Sequence, residues 1–481
     1  MKPSVLFLIA YLFITSNLNA QQITWARTYG DTGTVSEQGV DILQTFDGNY
    51  VVLATRSYDG NNQKILLLKL DIYGNIMWEK MVADSIISHN PYRFQQTHDS
   101  GFIITGVSGS AFLIKTDKDG NLKWRKIYTQ TYPQTYSSSV ITTMDNGYIF
   151  CGRVPFFNPP SDRGYIVKTD PSGNVQWERV YEDSLFTTYN EIIQTKKYDG
   201  YYLVGRTYNI TQPVTFYTVC KKMNLTGEIK WSNTFGKNST GLNVMILDDT
   251  SLIINSSKQS PFSPRLFRID TSGIVIWDSI YQSPSFSGGI PFICKDSQNN
   301  IQKVGGVNGN VTYTEISPLG GQHVLRPFQT SGFLSTYSNI IKNTIDGGFM
   351  IVGTVFTGNQ FSQKVDIMVL KTDSLVHGPV LVSIPYSQIS SIATEFELLQ
   401  NYPNPFNSET MIEFILPQKK YVEIHVYDIR GKIVKYLKNE YMNEGNYKVK
   451  FNGNDLSSGI YFYSMKINGN FIVTKVMLLI K

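Results

Sequence analysis

Residues 112–124, FLIKTDKDGNLKW, carry the pattern that decides the fold. An apolar run ends at Asp117, a short polar segment contains Gly120, and a second run carries Trp124. Aspartate side chains bond to nearby backbone amides in tight turns, and glycine accepts the positive φ that many such turns need. The stretch therefore predicts a β-hairpin with a tryptophan on its second strand.

The same hairpin recurs along the chain. Four further copies are LLLKLDIYGNIMW at 66–78, YIVKTDPSGNVQW at 165–177, VCKKMNLTGEIKW at 219–231 and LFRIDTSGIVIW at 266–277. With the strand at Trp25, these hairpins hold all six tryptophans, which stand 53, 46, 53, 54 and 46 residues apart. Self-similarity at a period of about 50 residues is typical of a repeat protein. One tryptophan per repeat is interpreted as packing between sheets.

Within each repeat, another hairpin lies on the N-terminal side of the tryptophan hairpin. Clear copies, each with two alternating strands around an Asp-and-Gly turn, are VDILQTFDGNYVVLA (40–54), RFQQTHDSGFIITG (93–106), SVITTMDNGYIFCG (139–152), IIQTKKYDGYYLVG (192–205) and NIIKNTIDGGFMIVG (339–353). Degenerate copies are VMILDDTSLIIN (244–255) and FICKDSQNNIQKVGG (292–306). Such turns between alternating runs favour hairpins. Seven repeats of four strands predict an all-β fold, a seven-bladed β-propeller at residues 21–376.

The two ends of the array indicate a closed ring. The third strand of the repeat occurs seven times, the last two at 313–317 and 367–373, but no tryptophan strand follows the seventh. The strand around Trp25 has no third strand before it. Because an open array would leave both strands as unpaired edges, Trp25 is predicted to complete the seventh blade. Arg326 replaces tryptophan in the sixth copy, which we interpret as a drifted repeat.

The repeat resembles that of secreted quinoprotein-like seven-bladed propellers, in which an outer strand carries a docking tryptophan after a glycine turn. The Asp-box of sialidase-type propellers does not match, because its glycine-to-aromatic register is one residue shorter. The adjacent cysteines and metal-binding acids of quinone-dependent dehydrogenases are not found in the sequence. The resemblance therefore implies a fold but no activity, and neither a cofactor nor a metal is predicted.

Residues 396–481 form a different module. Apolar residues alternate in three runs, namely Ile412, Phe414 and Leu416; Val422, Ile424 and Val426; and Tyr447, Val449 and Phe451. Turn-forming sequences at 428–431, 444–445 and 468–469 separate the runs. Short alternating strands between such turns predict a small immunoglobulin-like β-sandwich of seven strands.

Short motifs in this module resemble the type A C-terminal sorting domains of type IX secretion cargo. They are Tyr402-Pro403-Asn404-Pro405, the G-x-Y element from Gly445 to Tyr447, and LSSGIYF at 456–462 with Gly459 and Tyr461. The resemblance implies recognition by the type IX secretion machinery and delivery through the periplasm to the cell surface or the extracellular space. It also implies cleavage near the start of the domain, often with transfer to surface lipopolysaccharide. A passive adhesive or spacer sandwich is the alternative.

The N-terminus also predicts export. Lys2, an apolar run at 5–14 and Ala20 form the pattern of a signal peptide over residues 1–20. The run is shorter than the ~20 residues that span a bilayer, and no later stretch is apolar enough, so an integral membrane protein is not expected. Residues 377–395 are predicted to be a linker.

Charge and cysteine content narrow the functional class. The net charge is +5, and residues 21–395 hold 31 Lys and Arg against 30 Asp and Glu. Proteins that bind nucleic acid need clustered basic residues, so no nucleic-acid partner is expected. Cys151, Cys220 and Cys294 are odd in number and lie in apolar contexts. They are predicted to be buried, unpaired thiols.

Candidate binding residues are aromatic side chains in the variable segments between the turns: Tyr132, Tyr136, Phe156, Phe157, Tyr208 and Phe286. Aromatic rings beside Asn, Gln and Asp suit sugars or peptides, but they serve equally as plugs over the central channel of a propeller. Asp117, Asp119 and the other turn acids are interpreted as turn residues, because calcium needs six to eight oxygen ligands. No catalytic or metal-binding motif is present, so no catalytic residue is predicted.

The predicted function is that of a secreted or cell-surface binding module, without enzymatic activity, whose ligand is a glycan or a protein. The alternative is an extracellular polysaccharide hydrolase or lyase that acts at the same loops. Glycosidic cleavage typically needs two carboxyl groups ~5–10 Å apart. Such a pair at the loops would favour the alternative.

Overall fold

The computed structural model describes residues 23–30, 35–58, 63–82, 89–129, 131–132, 134–157, 160–181, 186–209, 214–258, 263–281, 292–307, 310–327, 335–359, 362–374, 397–401, 403–416, 418–443 and 445–481. The predicted signal peptide and linker lie outside these residues. Contacts divide the chain into two compact units, Met1–Pro385 and Tyr386–Lys481.

Unit 1 contains seven four-stranded antiparallel sheets among the described residues. Blade 1 consists of β2 (Ser36–Gln44), β3 (Tyr50–Ser57), β4 (Gln63–Leu70) and β5 (Ile76–Met81); blade 2 of β6 (Asn90–Gln96), β7 (Phe102–Ser108), β8 (Ser110–Thr116) and β9 (Leu122–Ile127); blade 3 of β10 (Tyr136–Thr142), β11 (Tyr148–Phe157), β12 (Pro160–Thr169) and β13 (Val175–Tyr181). Blade 4 consists of β14 (Phe186–Gln194), β15 (Gly200–Asn209), β16 (Thr215–Asn224) and β17 (Ile229–Lys237); blade 5 of β18 (Ser239–Ile246), β19 (Ser251–Lys258), β20 (Ser263–Asp270) and β21 (Val275–Ile280); blade 6 of β22 (Ile293–Lys295), β23 (Ile301–Val307), β24 (Asn310–Ile316) and β25 (Gln322–Pro327). Blade 7 consists of β26 (Ser335–Asn343), β27 (Phe349–Asn359), β28 (Ser362–Thr372) and β1 (Trp25–Tyr29).

The N-terminal strand closes the ring. β1 pairs antiparallel with β28, from Trp25 opposite Lys371 to Tyr29 opposite Ile367. The seven-bladed all-β propeller and the completion of its last blade by Trp25 are therefore confirmed.

The hydrophobic core lies between neighbouring blades. The two middle strands of a blade are buried on both faces, so that every residue of β7 and β8 is buried, whereas the outer strand β9 is partly exposed. One cluster, for example, joins Leu53 and Leu67 of blade 1 to Phe102 and Ile114 of blade 2. This arrangement gives the blades two ends. The turns between first and second and between third and fourth strands form the turn face, and the remaining links form the loop face.

Tryptophans join six of the seven blades to the next blade. The ring of Trp124 in β9 lies against the turn glycine of blade 3, and a Cβ added to Gly173 would stand 2.7 Å from that ring. The hydroxyl of Tyr128 donates to the carbonyl of the same glycine over 3.0 Å. The equivalent pairs are Trp25 with Gly74, Trp78 with Gly120, Trp177 with Gly227, Trp231 with Gly273 and Trp277 with Gly320. The tryptophans are thus packing residues, as predicted.

Blade 6 lacks this tryptophan for a topological reason. Its outer strand β25 contains Arg326. In the next blade, blade 7, the outer strand is β1 from the N-terminus and not a strand that follows β28 in the sequence. The third and fourth strands of blade 7 are therefore not consecutive in the chain, and no turn glycine follows β28 within the residues that the structure describes. This strand order accounts for the missing tryptophan, and the interpretation of a drifted repeat stays a prediction.

Unit 2 is a sandwich of two sheets. Its seven described strands are β29 (Glu397–Leu398), β30 (Glu409–Leu416), β31 (Lys420–Tyr427), β32 (Ile433–Met442), β33 (Gly445–Asn452), β34 (Gly459–Ile467) and β35 (Asn470–Leu479). They pair in the orders β29-β30-β33 and β32-β31-β34-β35. The alternating residues predicted to face inward, among them Ile412, Phe414 and Ile424, form its core.

The three cysteines are free thiols in the interior of the propeller. Cys151, Cys220 and Cys294 are buried and form no disulfide, as predicted. Burial raises the pKa of the Cys220 thiol above its ordinary value, which keeps it protonated and unreactive. Among the described residues, no helix has the length and apolar character needed to cross a membrane.

Candidate functional site

Four of the six predicted binding residues lie at the loop-face end of blade 3 or blade 4. Tyr132 precedes β10, and Tyr136 begins it. Phe156 is the last residue but one of β11, and Tyr208 has the same place in β15. The backbone of Phe157 belongs to β11, but its side chain is not among the described ones. Phe286 lies outside the described residues.

Tyr132 and Phe156 form one aromatic group of blade 3. Their ring centroids are 6.0 Å apart, and Tyr132 is 6.1 Å from Tyr165. The guanidinium carbon of Arg163 lies 4.3 Å from the centroid of Phe156. Both aromatic side chains are half-buried and pack against the core between blades 2 and 3. They therefore fill space within the blade and retain an exposed part.

A second group links blades 3 and 4 through an ion pair. The Nη1 atom of Arg153 donates to Oδ1 of Asp162 over 2.6 Å, and the guanidinium of Arg153 lies 4.3 Å from the centroid of Tyr136. The hydroxyl of Tyr208 donates to Oδ2 of Asp162 over 3.4 Å. Burial, and then the charge of Asp162, raise the pKa of Tyr208. The structure thus brings two predicted residues, Tyr136 and Tyr208, to the same carboxylate-guanidinium pair.

Blade 4 adds a row of rings to this group. Phe186, Tyr208 and Phe216 stand opposite one another on three adjacent strands, β14, β15 and β16. The ring centroids of Phe186 and Tyr208 are 5.3 Å apart, and those of Tyr208 and Phe216 are 5.6 Å apart. The guanidinium carbon of Arg206 lies 5.6 Å from Tyr208 and 5.5 Å from Phe216. All four side chains are half-buried.

We call these residues of blades 3 and 4 the aromatic–arginine arc; its members are Tyr136, Arg153, Asp162, Phe186, Arg206, Tyr208 and Phe216. Sequence reasoning identified only the two tyrosines. A signal for the arginines was present, since Gly-Arg occurs at the equivalent point of two repeats, in CGRV and VGRT. Nothing local marks Asp162, because its partner stands nine residues away on the neighbouring strand.

Glu37, near the loop-face end of β2 in blade 1, is engaged by a basic side chain. Glu37 is 1% exposed and pairs with Arg56, which also binds Glu79 over 2.5 Å. Burial raises the pKa of Glu37 to about 7 against the lowering effect of Arg56. A carboxyl group with so little exposure cannot reach a polysaccharide.

The centre of the ring holds a compact group of opposite charges. Lys342 of blade 7 donates to the fully buried Asp41 of blade 1 over 2.7 Å. The guanidinium of Arg93 in blade 2 lies 3.8 Å from the ring centroid of Phe292 at the start of blade 6. Because these blades are separated along the ring, the two side chains meet near its axis. Burial raises the pKa of Glu191, whose charge interacts with this group, to about 7.

One open cavity of about 450 Å³ lies at the rim between β9 and β13. It is lined by Lys126, Tyr128, Tyr165 and Glu178, among others. The hydroxyl of Tyr165 donates to Oε2 of Glu178 over 2.8 Å, and Thr131 donates to the other carboxylate oxygen. The acid is therefore held by the protein's own hydroxyls.

The turn acids have the structural role that was predicted for them. Oδ1 of Asp117 accepts the amides of Asp119 over 3.0 Å and of Asn121 over 2.8 Å. Among the described residues, no group of three or more His, Cys, Asp or Glu side chains is arranged to hold a metal ion.

The predicted sorting motif contacts the last strand of unit 2. The side-chain oxygen of Asn404 accepts the amide of Leu478 over 2.8 Å, and the amide of Phe406 donates to the carbonyl of Leu478 over 2.9 Å. The hydroxyl of Thr410 donates to the carbonyl of Pro403 over 2.8 Å. Pro405 stands between Asn404 and Phe406 in the sequence, and Tyr402 is outside the described residues. The motif thus covers the free edge of β35.

The remaining motif residues stabilise the sandwich. Gly445 and Gly459 begin β33 and β34. Tyr447 stacks on Phe414 at 5.3 Å between centroids, and the hydroxyl of Tyr461 donates to the carbonyl of Ser457 over 2.8 Å. The motifs that carry the sorting resemblance therefore also maintain the fold of this unit.

Comparison with known proteins separates the two units. Residues 400–479 match the family of the secretion system C-terminal sorting domain. No similar sequence was found among curated proteins. Similar solved structures include puromycin hydrolase, with a TM-score of 0.47 and 11% identity, covering 79% of this chain and 59% of that chain. A putative 6-phosphogluconolactonase from Bacteroides fragilis has a TM-score of 0.42 and 10% identity, covering 72% of this chain and 98% of that chain.

Drosophila Plexin A in complex with Semaphorin 1b has a TM-score of 0.41 and 8% identity, covering 72% of this chain and 86% of that chain. The chain spans 59% and 57% of the length of the two puromycin hydrolase structures that it resembles. The propeller is established by its strand pairing, and none of these likenesses bears on its activity. Residues 400–479 are a type IX C-terminal sorting domain, and the chain is cargo of that secretion system, a seven-bladed β-propeller exported to the cell surface or the extracellular space.

Proposed function

We propose that the propeller is a non-enzymatic module that binds glycans through the loop face of blades 3 and 4. The observation that carries this proposal is the aromatic–arginine arc, in which half-buried rings lie beside guanidinium groups. An aromatic ring offers an apolar face, and a neighbouring guanidinium or hydroxyl offers directed hydrogen bonds. A sugar presents the complementary C–H face and hydroxyl rim.

The same arc supports binding over hydrolysis. Its single carboxylate, Asp162, is held by Arg153 over 2.6 Å and by Tyr208 over 3.4 Å. Glycosidic cleavage typically uses two carboxyl groups, one of which is free to donate a proton. Within the described residues of the arc there is no second acid. The polysaccharide hydrolase or lyase therefore remains the alternative against which the proposal is tested.

The experiment is a glycan and peptide array with the full-length protein, accompanied by assays for polysaccharide cleavage. Tyr136→Ala and Tyr208→Ala should each weaken glycan binding by ~10-fold or more, because truncation of a ring that anchors a ligand is costly. Tyr198→Ala is the matched control, since this tyrosine is 57% exposed but lies in a turn of the opposite face. Thermal unfolding checks that each variant is folded.

Two results would contradict the proposal. Shortened saccharides among the products would establish the hydrolase or lyase instead. A signal on peptides alone would make the arc a protein-binding site, for which tyrosine and arginine are equally suited.

A further inference from the structure

Arg153 and Arg206 occupy equivalent positions in consecutive blades. Each follows a glycine in the second strand of its blade, and each glycine stands opposite the residue just before a bulge in the first strand. Arg153 faces Gly164 on the third strand, as Arg206 faces Thr218. The two arginines can therefore be compared as internal copies of one site.

The copies differ in what neutralises the arginine. In blade 3 the acid is Asp162, which stands opposite Pro155 in the register of β11 and β12. The equivalent pair in blade 4 is Tyr208 opposite Phe216. A phenylalanine thus occupies the position from which blade 3 supplies its carboxylate.

Arg206 consequently lies among rings without an acid. Its Nε atom is buried and has no hydrogen-bond partner, and within the described residues no carboxylate forms an ion pair with it. The rings of Tyr208 and Phe216 offset part of the cost of desolvating a cation. A half-buried guanidinium whose Nε–H has no partner is nevertheless unfavourable until the group gains an acceptor.

We propose that Arg206 is an anion subsite of the glycan-binding face, which selects saccharides that carry a carboxylate or a sulfate ester. Its fork of N–H donors matches both groups in shape, because two parallel hydrogen bonds can form to two oxygens of one anion. Phe186, Tyr208 and Phe216 provide the ring surface on which the sugar rests. This inference rests on the proposed function and gives it a ligand class, acidic glycans.

The test measures binding of the full-length protein to polygalacturonate, to chondroitin sulfate and to neutral dextran and galactan. The wild-type protein should prefer an acidic polymer. Arg206→Gln should lose ~10–100-fold of its affinity for that polymer, as expected for removing a charged hydrogen bond, and about twofold or less for a neutral one. Arg206→Lys keeps the charge but not the fork, so an intermediate loss is expected.

Arg179→Gln is the matched control. Its guanidinium lies 5.8 Å from the ring of Trp177, as Arg206 lies beside two rings, but it is exposed on the outer strand β13. The control removes the same charge and should leave binding unchanged. Thermal unfolding shows whether Arg206→Gln is folded, and Arg206→Lys serves if it is not.

The outcomes separate this inference from the function on which it rests. Binding to either acidic polymer without binding to the neutral ones supports the subsite, and binding to polygalacturonate shows that a carboxylate is sufficient. Equal binding of neutral and acidic polymers, or equal losses in the variants of Arg206 and Arg179, overturns the subsite and leaves glycan binding intact. No binding to any polymer overturns both.

Discussion

At the scale of the residue, contact between blades depends on a glycine that leaves room for a tryptophan. Gly74 has a φ of 80°, and a Cβ added there would stand 2.9 Å from the ring of Trp25. A larger residue would therefore face two penalties, a strained backbone and a displaced ring. Only the displacement of the ring is specific to the packing of tryptophan on glycine.

Replacing Gly74 by alanine should destabilise the propeller more than the same change at Gly48. Gly48 has a φ of 82° but nothing within 4 Å of its added Cβ, so it reports the backbone penalty alone. We expect a loss of ~1–2 kcal/mol for Gly48→Ala and a further ~1–3 kcal/mol for Gly74→Ala, as for other cases of overpacking. Urea unfolding measures both. Equal losses would show that the tryptophan ring yields freely and that docking contributes little.

The residue scale also shows what a sequence can predict. Asp117 was assigned to a turn because its bonds to Asp119 and Asn121 span only two and four residues. Arg206 and Phe216 were missed because their proximity depends on the register of two strands. Local chemistry is visible in the chain, whereas contacts set by strand pairing and ring geometry are not.

At the scale of the element, β1 is the only described strand of the propeller that is paired with a strand from the far end of the array. Five consecutive residues pair with β28, and Trp25 also donates its indole N–H to the carbonyl of Ile72 over 2.9 Å. The strand therefore connects blade 7 to blade 1 by two kinds of contact. The number of blades was predictable because each hairpin is local, and the closure was predictable from the two incomplete repeats.

Deleting residues 21–30 should open the ring and destabilise the whole propeller. The edge of β28 would lose its partner, and Gly74 would lose the ring that packs on it. Hydrogen exchange should quicken in blades 1 and 7 and the thermal midpoint should fall. The control is Lys126→Pro, which damages the outer strand of blade 2 at the position equivalent to Arg27 but leaves the ring joined by the chain. A truncated protein as stable as the intact one would refute closure by β1.

At the scale of the whole molecule, unit 2 is the sorting domain, whereas unit 1 contains the proposed binding site. The sorting domain was recognised from sequence because its motifs are short and local, and the structure shows that Asn404, Tyr447 and Tyr461 also hold its fold together. The ligand was not predictable to the same degree. The aromatic–arginine arc is assembled from two blades, and its character emerges only when they are placed side by side.

Removing residues 396–481 should trap the protein in the periplasm. The sorting domain that matches residues 400–479 would be lost, while the seven blades of unit 1 would remain. Cell fractionation of the truncated and the full-length chain measures the effect, with a resident periplasmic protein as the control for leakage. If the truncated protein still reached the cell surface, the assignment of these residues as the sorting domain would be contradicted.

The pairing of β1 with β28 has a consequence for how the protein is made. Chains are synthesised from the N-terminus, so the strand at Trp25–Tyr29 is available first and its partner at Ser362–Thr372 almost last. Every N-terminal fragment that ends before β28 lacks the partner of β1, so its ring of blades cannot close. The same fragment also lacks the sorting domain, which follows in the sequence. The order of the chain alone therefore couples formation of the closed propeller to export, because a chain with an incomplete propeller also lacks the sorting domain.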